Sequence, residues 1–195
     1  MKIARVETIW ISIPFDHGGP SSGFFAHGVN WNNLDTLIVK IETDNGLVGY
    51  GEAFGYACIP ATKAAIDHMI APRVVGQDAT KITQITQTLQ RSLHNFGRYG
   101  PTLFAISGLD IALWDIAGKA AGLPLHRLLG GSAREKLPVY ASLLRYRDPA
   151  AVSDRTHAAV SAGYKMVKLH EIAAESVQAA RIAAGDDVAI MVDTN

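Results

Sequence analysis

Residues Ile3 to Ile13 are rich in Val, Ile, Thr and Trp, and Leu37 to Thr43 sets Leu37, Val39 and Ile41 alternately against Lys40 and Glu42. That period of two is the mark of a half-buried strand. Asp44-Asn45-Gly46 follows, a turn sequence that tolerates positive φ, and Leu47 to Glu52 returns as a third strand. The pattern predicts a three-stranded antiparallel meander. Between its first two strands, Asp16 to Asn33 holds four glycines, two histidines and the aromatics Phe24, Phe25 and Trp31 in no regular period. A loop of that length inside a compact domain is of the lid or binding type.

After Pro60 the period lengthens, predicting helices over Ala61 to Ile70, Lys81 to Leu93 and Leu103 to Ala121. In the last of these, Ile106, Leu109, Leu113, Ile116 and Ala120 recur at steps of three and four and form one apolar stripe, which Gly122 and Pro124 stop. From Leu137 the order becomes strand (Leu137 to Ser142), helix (Pro149 to Ala162), strand (Lys165 to His170), helix (Glu175 to Ala184), strand (Val188 to Asp193). Asp148 stands as N-cap before Pro149, and Gly163 and Gly185 stand where the two helices must end. Strands alternating with helices imply parallel pairing and right-handed crossovers. The boundary between the two regions falls at Gly131, giving domains 1–131 and 132–195.

Composition narrows the partners. Of 195 residues, 48% are hydrophobic and 18% charged, a globular balance, and 18 basic side chains cancel 18 acidic ones. Nothing in that charge balance calls for nucleic acid or an anionic membrane surface. No stretch approaches the ~20 apolar residues of a membrane span. The N-terminus lacks the apolar core of a signal peptide, and a lone cysteine, Cys58, makes no internal disulfide. A cytoplasmic protein acting on a small molecule is expected.

Side chains alternate along a strand, so Lys168 and His170 point one way, as do Asp193 and Asn195 on the next strand. In a (β/α) barrel the active site gathers at the C-terminal strand ends, where these pairs fall. The same residues also fit strands that turn polar as they leave a core. Occurrence of both pairs on successive strands favours the site.

The stretch from Ala105 to Gly131, with Asp110, Trp114-Asp115, Gly118-Lys119, Gly122 and Pro124 in order, resembles the signature of the mandelate racemase and muconate lactonizing enzyme family of the enolase superfamily. The Asp44-Asn45-Gly46 hairpin, Gly49-Tyr50-Gly51-Glu52, and the Lys-x-His and Asp-x-Asn strand ends occur in that family's order. The resemblance implies an α+β capping domain followed by the first βα units of a modified TIM (β/α) barrel, with the sequence truncated after the third strand. It implies Mg²⁺, with Asp193 as the first of three carboxylate ligands, Asn195 as a substrate contact, and Lys168 and His170 in place of the family's Lys-x-Lys pair. There the first residue holds the substrate carboxylate or enolate and the second moves the proton. Histidine here departs from lysine, yet an imidazole of unperturbed pKa about 6.5 is better poised at neutral pH than an amine near about 10.4. By the same resemblance the segments Asp16 to Asn33 and Ala53 to Pro60 select the substrate, with Phe24, Phe25, His27, Trp31 and Tyr56 as pocket candidates.

The expected reaction is abstraction of the α-proton of a carboxylate through an enediolate, first of all in dehydration of a sugar acid. A racemase, epimerase or cycloisomerase of the same family comes next, and a homo-oligomer is the expected state. From other classes, the alternatives are a TIM-barrel aldolase with Lys168 as its Schiff-base lysine, against which the capping domain and Asp193 stand, and a non-catalytic fragment.

Overall fold

The computed structural model describes residues 1–16, 33–131 and 134–194. They form two compact units, one made of 1–13 and 34–131, the other of 134–194 together with the short stretch 14–16 and Asn33.

In the first unit β1 (Ile3–Pro14), β2 (Asn33–Thr43) and β3 (Val48–Ala53) make a sheet in that order. β2 and β3 are antiparallel, with Leu37 opposite Ala53, Val39 opposite Gly51 and Ile41 opposite Gly49. Leu37, Val39 and Ile41 are fully buried, whereas Lys40 on the other face pairs with Glu42 at 2.5 Å and Glu7 at 3.4 Å. The alternation read from the sequence thus separates core from solvent. Gly46 takes φ +85° in the connecting turn and its N–H bonds the Thr43 carbonyl at 3.0 Å.

Helical segments follow the sheet's last strand. α1 (Ile59–Ala64) widens into a π-helical turn over Ala65–Ile70 before α2 (Ala71–Val74). A regular helix over Ala61 to Ile70 is therefore not what forms. Pro72 is the physical reason: its ring would strike the carbonyl of His68 in a regular α-helix, and it has no N–H to donate. The Ala71 N–H accordingly bonds Ile66, five residues back. α3 (Ile82–Ser92) buries Ile82, Ile85 and Leu89. α4 (Pro101–Ala121) starts two residues earlier than expected, with Pro101 in the first turn, where the missing N–H costs nothing.

α4 packs on β3 at backbone distance. A Cβ on Gly51 would lie 2.1 Å from the Gly108 carbonyl oxygen, and one on Gly108 would lie 2.7 Å from Ala53 Cβ. Ile106, Leu109, Leu113 and Ile116 are buried against the sheet. Ala120, counted in the same stripe, is exposed, because the helix's last turn has reached the start of β3, where Lys119 Nζ bonds the Val48 carbonyl at 2.7 Å. Gly122 at φ +64° then ends α4: Leu123 N–H bonds the Gly118 carbonyl and Gly122 N–H the Lys119 carbonyl, the paired bonds of a Schellman motif. A short α5 (Leu125–Leu128) completes the unit.

The second unit runs β4 (Ala141–Ser142), α6 (Pro149–Ser161), β5 (Met166–Leu169), α7 (Ala174–Ala184), β6 (Ala189–Val192). The strands lie in that order and are parallel, with Ser142 opposite Lys168 and Lys168 opposite Met191. Asp148 caps α6 through Ala150 N–H at 3.1 Å, as its position before Pro149 implied. β4 is shorter than the expected Leu137 to Ser142. Its neighbour β5 begins at Met166 and offers earlier residues no strand to bond, and Leu137 and Val139 stand exposed. Val152, Val167, Leu169 and Ala180 form this unit's own core. Among the described residues no helix is long and apolar enough to cross a membrane.

Candidate active site

On β5, Val167 and Leu169 are buried while Lys168 and the following His170 are half-buried on the opposite face. This is the alternation that the sequence implied. Beyond β6 the ladder continues one residue: Asp193 N–H bonds the Leu169 carbonyl at 2.9 Å, which fixes Asp193 beside the end of β5. Its Oδ2 accepts from Lys168 Nζ at 3.1 Å and lies 3.7 Å from His170 Nε2. An ammonium, an imidazole and a carboxylate therefore meet at the C-terminal end of two adjacent parallel strands.

The imidazole's orientation is set from β4. Leu143 N–H bonds the Lys168 carbonyl at 2.8 Å, extending that ladder, and Leu143's own carbonyl lies 2.6 Å from His170 Nδ1. A carbonyl only accepts, so Nδ1 carries a proton, and in the neutral ring Nε2, on the Asp193 side, is the nitrogen without one. That is the tautomer a general base requires. Lys168 Nζ also stands 6.0 Å from the centre of the Tyr140 ring, at the outer limit of a cation–π contact.

Glu171 follows His170 and turns the other way, into the protein, with 2% exposure. Its Oε1 accepts from Tyr146 N–H at 2.5 Å and Arg147 N–H at 3.0 Å. Arg147 adopts φ +61°, a left-handed conformation rare outside glycine. Burial holds the Tyr146 hydroxyl above the usual phenol range, with Glu171's charge adding a smaller push upward.

The family follows from a matched stretch that takes in more than half of the chain. Residues 29–130 match the model described as mandelate racemase / muconate lactonizing enzyme, N-terminal domain. The chain belongs to this family. Among its relatives, an arabinonate dehydratase of Saccharolobus solfataricus is 34% identical over 178 residues, 86% of this chain and 47% of that protein. A D-galactonate dehydratase family member of Salmonella virchow is 42% identical over 137 residues, 69% of this chain and 32% of that protein. Among solved structures, an enolase-superfamily member from Polaromonas sp. JS666 superposes with a TM-score of 0.84 at 34% identity, covering 100% of this chain and 52% of that one. The 3,6-anhydro-D-galactonate cycloisomerase of Zobellia galactanivorans gives 0.81 at 29% identity, covering 100% and 51%. The chain spans about half the length of these solved relatives, and less than half of the two curated relatives. In the mandelate racemase family's terms, the first unit is the α+β N-terminal domain and β4 to β6 with α6 and α7 are the first βα units of the barrel.

Of the residues singled out from the sequence, Lys168, His170 and Asp193 come together. Asn195, Phe24, Phe25, His27 and Trp31 lie outside the described residues. Tyr56 sits at φ +39° and packs edge-on against Phe54 with ring centres 4.8 Å apart, and Phe54 in turn meets Phe104 at 4.9 Å, all within the N-terminal unit. Sequence reasoning passed over Glu171, Leu143 and Tyr140. A charged residue on the apolar face of a strand was the available signal for Glu171. Backbone acceptors such as Leu143 leave no trace in side-chain type.

The family's magnesium can be tested against these donors. Asp193 offers a hard carboxylate oxygen at a strand end, suited to one share of an oxygen coordination shell. Among the described residues, no three His, Cys, Asp or Glu side chains gather to hold a metal. The fit is that of a single ligand.

Proposed function

We propose that the enzyme containing this chain removes the α-proton of a small carboxylate substrate, with His170 as the base, Lys168 as the cation facing the substrate carboxylate, and Asp193 as a Mg²⁺ ligand. The observation that carries this reading is the convergence of the three side chains at two strand ends, with His170 Nδ1 engaged by the Leu143 carbonyl so that Nε2 is the proton acceptor.

The residue types match the chemistry. The α-carbon of a carboxylate is a very weak acid, and its deprotonation places negative charge on two oxygens as an enediolate. Lys168 Nζ is a fixed cation aimed at that charge, and such preorganised groups act most strongly in a water-poor site. Its ion pair with Asp193 keeps the ammonium directed at the strand ends. Bound Mg²⁺ would supply further positive charge at the same oxygens. A Lys or His base working beside bound Mg²⁺ is the general arrangement of enolase-superfamily sites. Asn195, two residues after Asp193 in the sequence, is proposed to contact substrate.

The substrate class we infer is a sugar acid, and the reaction its dehydration, because curated relatives carry arabinonate and galactonate dehydratase names. Loss of the α-proton and of the β-hydroxide yields an enol that ketonises to a 2-keto-3-deoxy acid. Racemisation or cycloisomerisation is the second reading, supported by a cycloisomerase among the solved relatives. A Schiff base at Lys168 is disfavoured by the ammonium's pairing with Asp193, and borohydride trapping with substrate tests it. The protein is proposed to work as a cytoplasmic homo-oligomer with neither nucleic acid nor membrane as partner.

Solvent exchange tests the base. In deuterated water the intact enzyme should exchange the substrate α-hydrogen, and a correctly folded His170→Asn variant should not. Wild-type exchange in that variant would remove His170 from the role.

A further inference from the structure

A carboxylate buried to 2% exposure carries a heavy desolvation cost unless strong partners offset it. Glu171 occupies that position with two backbone N–H donors and, among the described residues, no ion pair. Both donors belong to one loop. That loop runs from Leu143, directly after β4, to Asp148, the N-cap of α6. Its near end is held by His170, whose Nδ1 donates to Leu143 at 2.6 Å, and its far end by Glu171 through Tyr146 and Arg147. Two consecutive residues at the end of β5, facing opposite ways, therefore grip the same loop at two points.

We propose that Glu171 is the positioning residue for His170: by holding Tyr146 and Arg147 it keeps the Leu143 carbonyl against Nδ1, and so fixes the imidazole in the tautomer with Nε2 unprotonated. The catalytic consequence rests on the reading of His170 as base. The tautomer does not.

The geometry supports a positioning part over a purely structural one on two counts. First, the residue that the carboxylate binds is a strained one. Arg147 is held at φ +61°, a strained conformation for a residue with a side chain, and the Arg147 N–H is one of the two that Glu171 binds. If that bond is lost, the loop is free to relax toward ordinary φ. Second, the route from Glu171 to His170 is short. Only Leu144 and Arg145 separate Leu143 from Tyr146, so relaxation at Arg147 has few intervening bonds in which to be absorbed. The Leu143 N–H is anchored to Lys168, so the peptide bearing the Leu143 carbonyl is the first free to rotate.

Nitrogen-15 NMR of histidine-labelled intact enzyme reads the tautomer directly. The wild-type His170 signals, assigned by their loss in His170→Asn, should show a protonated Nδ1 and a bare Nε2 at a pH where the ring is neutral. Glu171→Leu removes the acceptor while filling the same space, and should give a mixture of tautomers together with a fall in kcat of roughly 10–100-fold, with KM nearly unchanged. Glu171→Gln keeps an acceptor oxygen and should restore most of both. A Glu171→Leu enzyme of lower stability but wild-type tautomer would overturn the proposal, since that is the signature of a loop staple alone. If the leucine variant does not fold, Glu171→Asp, whose carboxylate is one methylene short of the two amides, is judged by the same readouts, and an unchanged tautomer there overturns it equally. Should His170→Asn retain α-proton exchange, the base reading fails while the tautomer measurement still decides the role of Glu171.

Discussion

Asp193 meets both Lys168 and His170 through one oxygen, Oδ2, so its charge serves the arrangement of the site as well as any metal. Asp193→Asn keeps the shape and removes the charge. It should weaken Mg²⁺ binding in titration calorimetry and lower kcat by on the order of 10²–10³; wild-type affinity for Mg²⁺ would exclude it as a ligand. A second carboxylate gives a pH prediction unconnected with catalysis. Asp110, half-buried on α4, is held above the usual carboxylate range by burial. A group whose folded pKa is raised favours the folded state below its unfolded pKa, near 3.8, and that advantage is lost as pH rises through the folded value. Asp110→Asn should therefore be more stable than wild type at neutral pH, with the gain vanishing in acid, as followed by urea denaturation across that window. At this scale the sequence revealed what alternation controls. Lys168, His170 and Asp193 fall on one side because Val167, Leu169 and their neighbours fall on the other. The partners of Glu171 are backbone amides 24 and 25 residues away, placed by a loop conformation that no side-chain pattern encodes.

Elements were legible where a single period persisted and obscured where a backbone constraint or a missing neighbour intervened. β2 and β3 pair as the alternation of Leu37, Val39 and Ile41 required, and α4 follows its apolar stripe from Ile106 to Ile116. Pro72 changes the pitch of the helix before it, and β4 begins only where β5 offers a partner. Apolar residues alone, such as Leu137 and Val139, do not make a strand. The close contact of α4 with β3 is a third case: Gly51 leaves room for the Gly108 carbonyl, and Gly108 for Ala53 and Val39. Gly51→Ala would put a methyl 2.1 Å from the Gly108 carbonyl oxygen, a backbone atom that cannot swing aside. The helix must shift from the sheet, and stability should fall by about 1–3 kcal/mol or more, seen as a lower urea midpoint at constant m-value. Gly46→Ala is the contrasting control. No atom lies within 4 Å of its added Cβ, so any loss there comes from the positive φ alone and should be smaller, about 1 kcal/mol.

For the whole molecule, the family was legible because its signature from Ala105 to Gly131 is the buried helix and its termination, features that packing fixes. Substrate choice is a different matter, since the aromatics between Asp16 and Asn33 recur with no period from which a role could be read. Isotope placement can decide the reaction where sequence patterning does not. Each reading begins with loss of the α-proton, so that step alone does not separate them. They part at the next step. A dehydratase expels the β-hydroxide, and its enol takes a proton at C3 during ketonisation, so product formed in deuterated water should carry deuterium at C3 and a ketone at C2. A racemase or epimerase returns a proton to C2, leaving deuterium there, the carbon skeleton and all hydroxyls intact. A cycloisomerase expels an oxygen of the same molecule from the β-carbon of the enediolate, opening a ring, or reverses that step, and loses no water. The intact enzyme, offered a panel of five- and six-carbon sugar acids with Mg²⁺, should give 2-keto-3-deoxy products detectable with a ketone reagent and labelled at C3. Chelation should stop turnover, and Mg²⁺ should restore it. Deuterium confined to C2 with no ketone formed would replace dehydration by racemisation, while leaving Lys168, His170 and Asp193 in the roles assigned to them.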